Sequence, residues 1–236
     1  MEFKKISSPT LKQLFIEEIE SMILNGKLPV GTKLPTEREL AQKMQVSRSV
    51  VNDGIAELSQ KGFLSILPRQ GTYVADYMKN GTIETMVSIM KHGNVNREYI
   101  YSTLTLRETL IALALDSAVT DMSIEQFKEM EDLCTQFENE KDAAKGASLL
   151  YQIDHHISIC SSNLLLPILF SSFRIPNCIL FERYLNNNGF EPMQRRNRSL
   201  LEAMQRKNTE LAKKIMKESI EQTIQGNTEI YQDKNK

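Results

Sequence analysis

Four residues crowd the start of one predicted helix: Ser47, Arg48, Ser49 and Asn52. Arginine can grip guanine O6 and N7 with two parallel bonds, and asparagine can do the same for adenine N6 and N7. Serine hydroxyls and the free amides of a helix N-terminus suit phosphate oxygens. Arg38 lies upstream, and Arg69, Gln70 and Gly71 lie downstream in the turn Pro68-Arg69-Gln70-Gly71. A glycine there lets the turn bend and approach a neighbouring minor groove or backbone closely. The chemistry implied by this set is recognition of double-stranded DNA.

The elements that must position these residues are legible around them. Pro35-Thr36 with Glu39 three residues on is a capping box, so a helix starts there, with Leu40 and Met44 on one face. Ser47 caps a second helix, in which Val51, Ile55 and Leu58 form a buried stripe and after which Gly62 stops the run. Phe63 to Leu67 and Thr72 to Ala75 read as two strands around the turn. An earlier helix, Thr10 to Asn25, carries Phe15, Ile19, Met22 and Ile23 on one side and supports the pair. Helix, turn, helix and glycine-tipped hairpin in this order make a winged helix-turn-helix, which lays its second helix in a major groove.

These residues also carry a resemblance. Lys33-Leu34-Pro35-Thr36-Glu37-Arg38-Glu39-Leu40-Ala41, Val46-Ser47-Arg48, Gly62-Phe63 and Gly71-Thr72-Tyr73-Val74 resemble the head of a GntR-family transcriptional regulator over residues 8 to 76. The resemblance implies DNA-contacting roles for Arg38 and Arg48 and a wing role for Gly71. Where the family often has Val-Arg-Glu-Ala, this chain has Val51-Asn52-Asp53-Gly54, which points to a different operator sequence.

Composition bounds the rest. The chain has 236 residues and a net charge of −1. Residues 1–76 hold ten Lys and Arg against nine Asp and Glu. Phosphate contact must therefore come from local placement of charge. Met1 to Lys5 is polar and no secretory apolar region follows, which implies a cytoplasmic location. Cys134, Cys160 and Cys178 are odd in number and widely spaced, and read as buried free thiols. The apolar run Leu164 to Phe181 is interrupted by Arg174 and Pro176, so it reads as a core helix and no membrane span is expected.

Residues 1–76 form the DNA-binding domain in this reading, 77–81 the linker and 82–236 an all-helical effector-binding and dimerisation domain. The overall class is mostly α: a winged helix-turn-helix followed by an all-α bundle. Candidate helices lie near 82–92, 97–119, 123–139, 143–160, 164–185, 193–206 and 208–232, the third opened by a Ser123 capping box with Gln126. This half resembles the effector domain of the FadR-type branch of the family, through Arg107 with Leu110, Asp154 through Asn163, and Asn197 with Leu200, Leu201 and Ala203. Many members of that branch bind a metal through one aspartate and three histidines. The matching positions here are Leu150, Asp154, Asn197 and Ser219, so no metal and no cofactor is expected. The effector site is assigned to Arg107, Asp154, Asn197 and Ser219. Arg107 either grips a carboxylate of an organic or sugar acid or forms a helix-surface salt bridge. His155 and His156, about 100° apart on a helix, read as surface or packing residues. Lys213-Lys214 and Arg195-Arg196 read as solvated faces.

The expectation is a homodimeric, effector-controlled regulator reading a palindromic operator. A regulator taking another effector class, such as acyl-CoA, and an effector-free architectural DNA protein stay open. An enzyme is not expected, because no nucleophile elbow, phosphate loop or HExxH pair occurs.

Overall fold

The computed structural model describes residues 9–92 and 97–225. It divides into two compact units, Met1–Asn94 and Val95–Lys236. Polar Met1 to Lys5 lies outside the described residues.

The first unit opens with α1 (Leu11–Leu24), started by a capping box between Thr10 and Gln13. Then come α2 (Glu37–Met44), capped by Thr36 and Glu39, and α3 (Arg48–Gln60), capped by Ser47. Gln45, in the left-handed region at φ 53°, ends α2 and turns the chain toward α3. Gly62, at φ 79°, releases α3 into the hairpin. Strands β1 (Leu64–Leu67) and β2 (Gly71–Val74) are antiparallel, pairing Leu64 with Val74 through Leu67 with Gly71. Residues 31–34 add bonds on the far side of β2: Gly31 N–H to Val74 O, Val74 N–H to Thr32 O, and Leu34 N–H to Thr72 O. Phe15, Ile19, Val51, Ile55, Leu58 and Phe63 close one apolar core.

Residues 77–92 were assigned from sequence to the linker and to the start of the helical domain. In the structure they cluster with the first unit. Tyr77–Asn80 is a short helix, α4, and Ile83–His92 is α5. Three contacts hold them. The Tyr77 ring lies 5.5 Å from Phe63, the Thr85 hydroxyl donates to the Lys61 carbonyl, and buried Glu20 of α1 meets Lys61 at 3.0 Å and His92 at 4.0 Å. Polar contacts between distant residues leave no periodic trace, which is why the segment resembled a linker.

The second unit is helical throughout its described residues: α6 (Arg97–Asp121), α7 (Ile124–Asn139), α8 (Ala143–Ile159), α9 (Leu166–Ser172), α10 (Arg174–Asn188), α11 (Glu191–Gln205) and α12 (Thr209–Gln225). Helix α8 is central, packed by α6, α7, α9 and α10, while α12 closes against α6 and α11. Leu115, Met130, Phe137, Leu150, Ile153, Ile157 and Leu200 are fully buried between them. The single helix expected at 164–185 is two. The chain breaks at Phe173, and Pro176, which has no N–H to donate, sits in the first turn of α10 where none is required. The expected helix 208–232 is seen as far as Gln225, its remainder lying outside the described residues. Among the described residues no helix is long and apolar enough to cross a membrane.

Candidate nucleic-acid interface and buried polar site

The local sequence explains why α3 presents the residues it does. Burying Val51, Gly54, Ile55 and Leu58 turns Arg48, Ser49, Asn52 and Asp53 outward. Gly54 sets how closely α3 meets α1: a Cβ there would lie 2.3 Å from Cδ1 of Phe15. All eight residues expected to meet DNA are exposed: Arg38, Ser47, Arg48, Ser49, Asn52, Arg69, Gln70 and Gly71. Arg38, Arg48, Arg69, Gln70 and Gly71 share one groove of about 590 Å³, between the helix pair and the wing. The two serines are partly committed: Ser47 Oγ accepts from the Val50 amide at 3.3 Å, and Ser49 Oγ donates to Asp53 at 3.4 Å.

Charge placement separates this face from the rest of the head. Lys12 and Lys61 are bound to Glu57, and Lys61 also to Glu20. Among the described residues Arg38, Arg48 and Arg69 have no carboxylate partner. Three free guanidinium groups around one groove give a nearly neutral head a cationic face. Arg69 occupies the left-handed region at φ 63°, an uncommon backbone for a side chain with a Cβ, at the wing tip. Lys33 was not singled out from sequence; its ammonium lies 5.8 Å from the Tyr73 ring, beside Gly71 on the groove wall.

Comparison with known proteins bears on this face directly. Residues 12–74 match the model of the bacterial regulatory proteins of the gntR family. Over that stretch, which is the DNA-binding head, the chain is similar to the GntR family. It is 28% identical over 164 residues to the fatty acid metabolism regulator protein of Serratia proteamaculans, covering 68% of this chain and 66% of that relative. It is 20% identical over 175 residues to the HTH-type transcriptional regulator Mce2R of Mycobacterium tuberculosis, covering 74% and 73%. Lar, described as controlling expression of the Listeria monocytogenes agr system, has a solved structure with the same fold. There the TM-score is 0.62 at 18% identity, over 93% of this chain and 97% of the other. The matched family and these relatives are transcriptional regulators and not enzymes.

The second unit holds a buried cluster of charge. Arg107 on α6 is 7% exposed and Asp154 on α8 is 1% exposed. Arg107 Nε donates to Asp154 Oδ2 at 2.8 Å, with Nη2 2.6 Å from the same oxygen. The Arg107 guanidinium also lies over the Phe181 ring at 4.1 Å. Arg107 is thus in a salt bridge, as one sequence reading had it, but inside the bundle and not on its surface. Arg196 on α11 is 6% exposed, which corrects its assignment to a solvated face; its neighbour Arg195 is exposed and paired with Glu191 at 2.6 Å. Arg196 Nε and Nη2 both donate to Asn197 Oδ1, at 3.0 and 2.7 Å, and Nη1 stands 4.0 Å from Asp154 Oδ1. Burial pushes the Arg196 guanidinium below its ordinary range, Asp154 pulls it back up, and Arg107 pushes it further down. A sequence signal existed: Met193, Arg196, Asn197, Leu200 and Met204 lie on the buried stripe of α11.

Of the four residues assigned to an effector, Arg107, Asp154 and Asn197 come together around Arg196. Ser219 on α12 lines a cavity of about 220 Å³ that Arg196 also reaches. The donor set suits a transition metal poorly. Leu150 is buried and apolar, Asp154 is engaged by Arg107, and Asn197 offers its oxygen to Arg196. Lys213, also read as solvated, is half-buried against Asp116, whereas Lys214 is exposed. The two histidines pack within the bundle: His155 Nε2 lies 3.2 Å from the Pro167 carbonyl, and His156 Nε2 lies 2.7 Å from the Gln126 carbonyl. All three cysteines are free thiols. Burial pushes Cys134 up to about 12 and Cys160 to about 11, so both stay protonated at neutral pH.

Proposed function

We propose that the protein is a homodimeric repressor-type regulator that reads a short palindromic operator and is controlled by a small organic or sugar acid held in its helical unit. The observation that carries the DNA half is the placement of three guanidinium groups, Arg38, Arg48 and Arg69, with no carboxylate partner among the described residues, around the groove between helix pair and wing. Helix α3 enters the major groove, Arg48 and Asn52 read base edges, and Arg69 and Gln70 meet the adjacent backbone or minor groove. Free thiols and a chromosomal target fit a cytoplasmic location.

Small-molecule control rests on the charged cluster of the second unit. Buried ion pairs are retained at a desolvation cost, so two arginines around one aspartate in a bundle core call for a role beyond stability. The relative named for fatty acid metabolism favours a second reading, in which an acyl thioester is the effector. The 220 Å³ cavity, with Arg196, Tyr184, Ser199 and Ser219 among its lining residues, favours a small polar acid instead.

Gel-shift titration of Arg48→Ala tests the DNA half. Specific binding is expected to weaken by about 1–3 kcal/mol on the selected operator, with little change on scrambled DNA. Equal loss on both would reduce Arg48 to a phosphate contact.

A further inference from the structure

We propose that Asp53 is a specificity-determining residue of α3: its carboxylate accepts a hydrogen bond from the exocyclic amine of a cytosine in the major groove, and so fixes one G·C pair of each half-site. This rests on the reading above that α3 enters a major groove. It adds to Arg48 and Asn52 a residue of opposite charge that the sequence did not single out.

The place of Asp53 on the helix comes first. Val51, Gly54, Ile55 and Leu58 are buried, whereas Arg48, Ser49, Asn52, Asp53, Ala56 and Gln60 are exposed. At about 100° per residue, Ser49, Asp53, Ala56 and Gln60 lie nearest the direction opposite the buried stripe, and Arg48 and Glu57 lie toward the two edges of the outward face. In a helix laid in a groove, the middle of that face meets base edges and its margins meet the phosphate walls. Ser49 and Ala56 are small, so the middle of the face can approach the groove floor. Asp53 is therefore placed to meet a base and not the backbone.

Charge makes the position informative. The next carboxylate along, Glu57, is neutralised by Lys12 at 2.8 Å and Lys61 at 3.5 Å. Among the described residues no ion pair holds Asp53, and its carboxylate accepts only a long bond at Oδ2, 3.4 Å from the Ser49 hydroxyl. A bare carboxylate on the face that meets a polyanion weakens binding to DNA of every sequence. In the complex the missing donor is supplied by the DNA itself. An ionised carboxylate can only accept. On the major-groove edge guanine shows two acceptors, thymine an acceptor and a methyl group, and adenine a donor beside the N7 acceptor. Cytosine alone shows a donor with no acceptor next to it. Asp53 thus discriminates twice, by bonding to cytosine and by repelling the acceptors of guanine and thymine at the same place. With Oδ2 held by Ser49, Oδ1 is left for the amine.

Selection of the full-length protein on palindromes with randomised half-sites, followed by competition gel shifts, tests this. The parent is expected to select a G·C pair at which Asp53→Ala loses about tenfold in discrimination, while the other positions keep their preferences. Asp53→Ala also removes a negative charge from the DNA face, so it should bind scrambled DNA more tightly than the parent does. A G·C pair is readable through its guanine as well. The pair is therefore remade with 7-deazaguanine, which lacks the N7 acceptor and leaves the cytosine amine untouched. Parent affinity should hold on that substitution. Asp53 is exposed, and a cooperative melt of Asp53→Ala matching the parent's shows that the fold is kept. Three results would each overturn the proposal and leave the DNA-binding reading standing: an unchanged selection by Asp53→Ala, unchanged binding of scrambled DNA, or a loss of parent affinity on the 7-deazaguanine pair. A parent that selects no sequence at all would remove both.

Discussion

Gly54 shows how one residue couples the reading helix to its support. It sits on the buried face of α3, where a Cβ would lie 2.3 Å from Cδ1 and 2.7 Å from Cε1 of Phe15. Phe15 is 2% exposed, so its ring has little room to retreat. Alanine would gain about 1 kcal/mol of helix propensity over glycine. Overpacking a filled core costs roughly 1–3 kcal/mol. The steric term wins, and Gly54→Ala should lower stability by about 1 kcal/mol in urea denaturation. Phe15→Leu should recover much of that loss in the double variant, by freeing the space the ring occupies. An additive double variant would mean that the two positions do not compete for volume. The family's usual alanine at this place signalled a departure in the sequence, but the reason for it is a ring on another helix. Arg196 illustrates the same limit. Its place on the stripe of α11 was readable, yet adjacency to exposed Arg195 made the pair look like surface charge. Only the positions of Asp154 and Asn197 reveal where it points.

Helix starts were the most legible elements, because capping is local chemistry. Thr36 with Glu39 and Ser123 with Gln126 are both capping boxes, as their spacing implied. Glu39 accepts from the Thr36 amide at 2.8 Å and from its hydroxyl at 2.9 Å, and these bonds to the Thr36 backbone and side chain hold its carboxyl below the ordinary glutamate range. The direction fixes the sign. A carboxyl lowered in the folded state stabilises fully above its unfolded pKa, near 4.3, and that contribution fades as pH falls through the lower folded value. Glu39→Gln can keep the box without titrating. The melting-temperature advantage of the parent over Glu39→Gln should therefore shrink as pH drops from neutral to below the carboxylate range. A difference that stays constant with pH would show that the carboxylate charge contributes nothing to α2. Helix interruptions were less legible. The α9–α10 break falls inside an apolar run whose composition suits one continuous helix, and Phe173 carries no turn signal of its own.

The two compact units set the scale at which operator affinity arises. Tyr77 against Phe63, Thr85 on Lys61 and Glu20 between Lys61 and His92 tie α4 and α5 into the first unit. A fragment cut at Asp76 removes all of the contacts with Tyr77, Thr85 and His92, whereas one ending after Asn94 keeps them. The longer fragment should melt more cooperatively and at higher temperature than the shorter. Even so, it carries one recognition helix and one wing. A single head makes the contacts of one half-site, and linking two heads turns the second contact into an intramolecular step, worth about 10²–10⁴ in affinity when the spacing fits. The full chain should therefore bind a palindromic operator far more tightly than the 1–94 fragment does, while the two bind an isolated half-site comparably. Gel shifts on palindrome and half-site, with analytical ultracentrifugation of residues 95–236, measure both parts. If the fragment matches the full chain on the palindrome, or if residues 95–236 stay monomeric at micromolar concentration, dimerisation through the helical unit does not supply the affinity. The heads would then have to associate on the DNA by themselves.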